Sequence, residues 1–352
     1  MTKKPVKATK NDYEFGLNTF GDLPRNDSGE LMSHPEAIRQ VLAEAILADT
    51  VGIDYFGVGE HHRSEFAISS PETVLAGIAT RTKRLKLASA VTVLSSDDPV
   101  RVFQRFATVD ALSNGRAQVI LGRGSFTESF PLFGYDLRQY NELFEEKINL
   151  FAELLKEEPL TWEGSLTQSL KDVDIFPKTE NGLDVAVGVG GSPESVIRAA
   201  RYNFPLVLAI IGGSPDRFVP YVELYRQAAK DLGNTPHSVG MHSPGFVAET
   251  DEEAKKLAWK YYKISWDIIG KTRGWPPYSY EQFQYEVANG SMYVGSPETV
   301  AQKIAKAMKT LDVHRFDMVY GGGPVPASVR LKMVELYGKE VIPRVRELLN
   351  KS

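Results

Sequence analysis

The chain has 352 residues, 42% of them hydrophobic and 24% charged, a balance that supports a large buried core and argues against intrinsic disorder. With 41 basic and 45 acidic residues it carries no broad positive field for nucleic acid or anionic membranes, and its lack of cysteine excludes disulfides, thiolate metal sites and a cysteine nucleophile. Its longest apolar stretch, near Phe204 to Gly213, falls far short of the ~20 residues a bilayer span requires.

Lys3, Lys4, Lys7 and Lys10 make the amino end basic, but no apolar run follows. Residues 1–12 are therefore expected to be a flexible tail rather than a secretory signal, and the protein to be cytoplasmic. The first strand is predicted near 14–20, and Ile38, Val41, Leu42 and Ala45 then recur at helical spacing. A second strand near 53–59 ends in Glu60-His61-His62-Arg63. Ser70-Pro71-Glu72 reads as a helix start: serine can cap free N–H groups, proline at the first position loses no needed hydrogen bond, and the carboxylate suits the positive end of the helix dipole. The same punctuation returns at Ser192-Pro193-Glu194, Ser214-Pro215-Asp216 and Ser296-Pro297-Glu298.

Strands three and four are predicted near 85–94 and 117–121, the fourth ending in Gly122-Arg123-Gly124-Ser125. Leu143, Phe144, Ile148, Phe151, Leu154 and Leu155 form the stripe of the next helix. Further strands are expected near 184–189, 205–211, 239–248 and 314–320, with a helix carrying Val300, Ile304, Met308 and Leu311 before the last. Continuous apolar runs such as Leu206-Val207-Leu208-Ala209-Ile210-Ile211 suit parallel strands covered on both sides.

Eight strand–helix alternations predict an α/β fold, an eight-stranded (β/α) TIM barrel forming one domain over 13–350. The alternative, an open doubly wound sheet, lacks GxGxxG spacing in the turn from Gly21 onward. Two stretches break the rhythm, 157–183 and the aromatic, Gly- and Pro-rich 262–295. The second is expected to be a loop-like insertion acting as a lid or as an oligomer contact.

In such a barrel, polar groups just past the strands' carboxyl ends converge on one face. Gly190-Gly191-Ser192, opening a helix, offers backbone N–H groups and a hydroxyl to an anion, although glycines also serve ordinary tight turns. Arg123 between two glycines offers a fixed charge in a planar fork suited to phosphate, or equally a partner for a nearby carboxylate. Glu60-His61-His62 is poorly spaced for a metal, because adjacent residues on a strand point to opposite faces. Of the remaining histidines, only His242 is placed to reach the same pocket. A general acid or base suits the motif better, with a structural histidine as the plain alternative.

These residues resemble the bacterial-luciferase-like flavin monooxygenases in an ordered series. Gly52-Ile53-Asp54 runs through Gly59 to Glu60-His61-His62, and Thr82-Lys83-Arg84-Leu85 into Ser89-Ala90-Val91-Thr92-Val93-Leu94. Asp98-Pro99-Val100-Arg101, Asp110 to Leu112, Ser113-Asn114-Gly115-Arg116 and Leu121-Gly122-Arg123-Gly124 follow in family order. Gly295-Ser296-Pro297-Glu298-Thr299-Val300, Leu336-Tyr337-Gly338 and Val341-Ile342-Pro343 complete it, so that the likeness covers 13–348.

The resemblance implies a flavin-dependent oxidoreductase, a two-component monooxygenase that uses reduced FMN supplied by a flavin reductase to oxidise a small organic substrate. A deazaflavin coenzyme, with hydride transfer, is the alternative. It implies His61 as catalytic base, and a cofactor site drawn from Glu60, Ala90, Val91, Thr92, Arg123, Gly124, Ser125, Gly190, Gly191 and Ser192. It also implies a non-proline cis peptide between Ala90 and Val91 supporting the flavin ring. The segment from Gly21 to Ser33 is longer than in the family's shortest members, and no signature of a particular substrate is present. A homodimer is expected. From other classes, a flavin-binding protein without turnover and a metal-dependent hydrolase compete with this reading.

Overall fold

The computed structural model describes residues 13–350; the expected tail lies outside them. Eight parallel strands are joined in sequence: β1 (Glu14–Thr19), β2 (Tyr55–Val58), β3 (Lys86–Ser89), β4 (Ala117–Gly122), β5 (Asp184–Val189), β6 (Leu206–Ala209), β7 (Gly240–Val247) and β8 (Arg315–Tyr320). Each pairs with the next, and β8 pairs back with β1 with Phe15 opposite Phe316, so the sheet closes on itself. The expected TIM barrel is what forms. A two-residue strand at Thr92–Val93 also pairs with the end of β4, and a three-residue strand at Tyr293–Gly295 with β7.

Helices α1 (His34–Thr50), α2 (Pro71–Ala79), α3 (Pro99–Ser113), α4 (Tyr140–Leu154), α5 (Pro193–Arg201) and α6 (Val219–Asp231) follow the first six strands. After β7 come α7 (Asp251–Arg273), α8 (Tyr280–Asn289) and α9 (Pro297–Leu311), and after β8 comes α10 (Ala327–Leu336). The stripe read from the sequence is the buried face of α4: Leu143, Phe144, Ile148, Phe151 and Leu154 are all buried. Of the four serine punctuations, Ser192 and Ser296 accept a hydrogen bond from the third helical N–H, and Ser70 precedes α2 without a side-chain cap. Ser214-Pro215-Asp216 opens a 3-10 turn at 215–218 instead of an α-helix.

The main core lies between barrel and helices, where Phe15, Phe56, Phe103, Phe106 and Phe144 are essentially inaccessible. Inside the barrel a smaller layer of Tyr55, Ala88, Ile120, Ala186 and Val207 packs together. Its amino-terminal end is closed by a polar plug: Arg315 pairs with Asp317, donates to Gln118 at 2.6 Å and lies 3.5 Å over the Tyr55 ring. These side chains fill the interior at that end, opposite the carboxyl ends of the strands.

The two irregular stretches are more ordered than the sequence suggests. Residues 160–162 and 170–173 form an antiparallel hairpin. Residues 262–295, expected as loop, are largely helical: the second half of α7, then α8 with a Ser279–Gln282 capping box, then the short strand at 293–295. Their aromatics pack on one another, Trp266 against Trp275 and Tyr278 at 4.7 and 4.6 Å, which the loop composition alone concealed. Among the described residues, no helix is long and apolar enough to cross a membrane.

Candidate functional site

A cavity of about 370 Å³ opens at the carboxyl ends of the barrel strands. Of the residues singled out from the sequence, Glu60, His61, Ala90, Val91, Arg123, Gly124, Ser125 and Gly190 line it. Thr92, Gly191 and Ser192 do not. Thr92 is buried with its hydroxyl unpartnered, Gly191 (φ +106°) turns the chain beside the Phe218 ring, and Ser192 is used as the cap of α5. Asn18, Phe20, Phe126, Tyr140, Ser195 and His242 join the lining.

The Ala90–Val91 peptide is cis, as expected, and pushes the Val91 side chain into the barrel mouth. Room for it comes from two glycines on facing strands. A Cβ at Gly122 would lie 2.5 Å from one Val91 methyl, and one at Gly188 2.9 Å from the other. Glu60 buttresses the same bulge from below, accepting from the Val93 N–H at 3.2 Å while its other oxygen holds His62 at 2.8 Å.

One end of the cavity suits an anion. Arg123 donates to Asn141 at 2.9 Å, reaches the Ser195 hydroxyl at 3.4 Å and packs over Tyr140 with 5.5 Å to the ring centroid. Among the described residues it forms no ion pair: neutral groups position the guanidinium, and the Glu194 carboxylate feels its charge without a direct contact. Ser195 sits at the amino end of α5, whose dipole adds to the positive potential. The Tyr140 hydroxyl, in turn, donates to the Gly124 carbonyl and holds the loop after β4.

The other end is built around His61. Its ring stacks on Phe66 at 4.3 Å and meets Phe20 and Phe126 edge-on at 5.1 and 4.5 Å. Removal from water in this aromatic box, reinforced by the charges of His62, Arg273 and Arg63, pulls its pKa down to about 3. The imidazole is neutral at physiological pH, and its Nδ1 is buried without a hydrogen-bond partner among the described residues. His62 instead pairs with Glu60, so the two adjacent histidines do separate things. Deeper in the barrel, burial lowers His242 to about 4, and its Nδ1 lies 3.3 Å from the Asn18 amide. Among the described residues, no cluster of His, Asp and Glu is arranged to hold a metal ion.

The carboxyl end of α7 leans over this site. Arg273 donates to the Ser125 carbonyl at 2.6 Å and lies 4.0 Å from the Phe126 ring centroid, while Arg63 reaches Thr272 at 3.1 Å and Glu128 at 2.8 Å. The loop carrying Arg123 is thus tied to α7. Sequence reasoning missed Ser195, Tyr140 and Asn141, although Ser195 is one helical turn from the serine it did select. Asn18 and Phe20 carry no local signal, since only the closure of the barrel brings β1 to the site.

A positive, hydroxyl-bearing end, an apolar bulge and a neutral histidine together fit a planar-ringed molecule with a phosphate tail. Comparison with known proteins agrees with that geometry. The 3,6-diketocamphane 1,6-monooxygenase of Pseudomonas putida is 25% identical, covering 86% of this chain and 92% of its own. The crystal structure of the oxygenating constituent of 3,6-diketocamphane monooxygenase, from a Pseudomonas putida plasmid and in complex with FMN, superposes with a TM-score of 0.75 at 23% identity, covering 95% and 99%. The coenzyme F420 dependent tetrahydromethanopterin reductase of Methanopyrus kandleri superposes with a TM-score of 0.71 at 19% identity, again covering 95% and 99%. The profile described as luciferase-like monooxygenase matches residues 14–314, and with this span and this fold the chain belongs to that family.

Proposed function

We propose that the protein is the oxygenase of a two-component system, binding reduced FMN and oxidising a small organic substrate. The observation that carries this reading is Arg123, which makes no direct ion pair among the described residues, placed beside Ser195 and the glycine turn at one end of a cavity whose other end is apolar. In this reading Arg123, the Ser195 hydroxyl and the backbone at Gly190 hold the phosphate, and the Ala90–Val91 bulge supports the ring. Reduced FMN, when bound, supplies the electrons that let one atom of molecular oxygen enter the substrate while the other leaves as water.

The chain's own residues do the rest. His61, held neutral by burial and lining the cavity, is the base proposed to take a proton from a substrate hydroxyl or hydrate. In this reading Trp266 and Trp275, which line the adjoining cavity, and Tyr278, packed on Trp266, help to exclude water from the reacting groups. The described oxygenating constituent among the relatives supports a separate reductase as the source of reduced flavin. A homodimer belongs to the same proposal, with the exposed Leu132, Phe133 and Leu137 offering apolar surface for it.

The likeness to a deazaflavin-dependent reductase favours one second reading, hydride transfer with a deazaflavin. Titration of the purified protein with FMN and with the deazaflavin coenzyme, followed by oxygen-consumption assays with a reductase, separates the two. Tight FMN binding with substrate-dependent oxygen uptake is expected. Binding of the deazaflavin alone, without oxygen uptake, would replace the monooxygenase reading.

A further inference from the structure

We infer that a second cavity beside the first, of about 240 Å³, takes a bulky, uncharged, hydrocarbon-rich molecule bearing one hydroxyl, such as a fused-ring phenol or alcohol. The inference rests on the first cavity being the flavin site. The two cavities share Phe20, Phe126 and Ile211, so a molecule in the second lies against whatever fills the first. His61 of the first stacks directly on Phe66 of the second, so the two cavities meet at this aromatic pair.

The walls decide the class. Trp266 and Trp275, with ring centroids 4.7 Å apart, and Tyr262, 6.1 Å from Trp266, offer broad flat faces that suit fused rings. The Trp266 N–H is already given to the Pro276 carbonyl, so it adds no donor. No lysine, arginine or histidine lines the cavity, and its one carboxyl belongs to Asp22. Asp22 is buried and accepts from the Gly323 N–H at 2.8 Å. Desolvation lifts its pKa to about 6, against the lowering effect of its backbone hydrogen bonds and the Arg330 charge. A hydroxyl can donate to it, whereas a carboxylate of the same skeleton would bring a second negative charge into an apolar pocket lined by no cation.

Isothermal titration of the full-length, flavin-free protein at pH 7.5 with 2-naphthol and with 2-naphthoate, in parallel with FMN, tests this. Naphthol is expected to bind at least about tenfold more tightly than naphthoate, on the scale of an unpaired charge entering an apolar site. Ser265→Phe, which fills the cavity, should weaken naphthol by about tenfold or more and leave FMN affinity unchanged. Asp22→Asn keeps an acceptor for Gly323 and should reduce the preference for naphthol over naphthoate by about tenfold, which decides the matter if the filled variant does not fold. Equal binding of the two probes, or naphthol binding that ignores both variants, overturns the inference. Naphthol binding with these preferences but without FMN binding upholds the pocket and overturns the flavin reading instead.

Discussion

The Arg123 guanidinium and the Ser195 hydroxyl approach to 3.4 Å across 72 positions of sequence, one from the end of β4 and the other from the first turn of α5. No carboxylate among the described residues pairs with this arginine. Arg123→Ala should therefore weaken FMN by about 1.5 to 3 kcal/mol, the worth of a hydrogen bond to a charged group. Arg123→Lys should recover part of that loss, because it restores charge but not the fork. Unchanged affinity by calorimetry in both variants would remove the phosphate assignment.

His61→Ala should lower turnover by about a hundredfold to ten-thousandfold while flavin affinity changes little, since the anion contacts lie at the opposite end of the cavity. His62→Ala should act differently, freeing the Glu60 carboxylate and loosening the Val93 contact. Steady-state kinetics with a verified substrate checks this. Near-normal turnover in His61→Ala with loss in His62→Ala would transfer the role to the neighbouring residue.

Stability should depend on pH through the buried histidines. Burial depresses His242 in the folded protein to about 4, against about 6.5 unfolded, so its neutral form is compatible with both states above pH 6.5. As pH falls from about 6.5 towards 4 the unfolded state binds the proton first and folding is progressively weakened. Between pH 7.5 and 5 this group should cost on the order of 2 kcal/mol. Urea unfolding of His242→Gln should show a correspondingly flatter pH dependence; an identical slope would mean that His242 is not held neutral.

Gly122→Ala should be destabilising by about 1 to 3 kcal/mol, because the new methyl would stand 2.5 Å from a Val91 methyl on the bulge. Adding Val91→Ala should restore much of the loss by opening the space. Denaturant unfolding of the single and double variants reads this coupling, and strict additivity would show that the two side chains do not compete.

Arg273→Ala removes the hydrogen bond from α7 to the Ser125 carbonyl and the cation over Phe126. If α7 shields the reaction from water, oxygen consumed per product formed should rise several-fold while flavin affinity stays within about twofold. Unaltered coupling would point to a packing role for this end of α7, with oligomer contact as its next explanation.

Much of this protein was legible in its sequence because the signals were local. Apolar runs with helical stripes between them predict the eight alternations; the Glu60-His61-His62 turn and the Gly-flanked Arg123 announce themselves by residue type and position after a strand. Ser195, Asn18 and the helical form of 262–295 were not legible. Ser195 looks like an ordinary helix-start residue until Arg123 is folded against it, and Asn18 meets His242 only because closing a barrel joins its first and seventh strands around one axis. Residues 262–295 read as loop because Gly, Pro and aromatics dominate the composition, yet α7 runs to Arg273 before Gly274 (φ +65°) ends it. Local periodicity thus determines the order of the elements. Which side chains share a cavity, and which of two neighbouring histidines is stripped of water, is decided by contacts between residues far apart in the chain, whose burial and charge exist only once the barrel has closed.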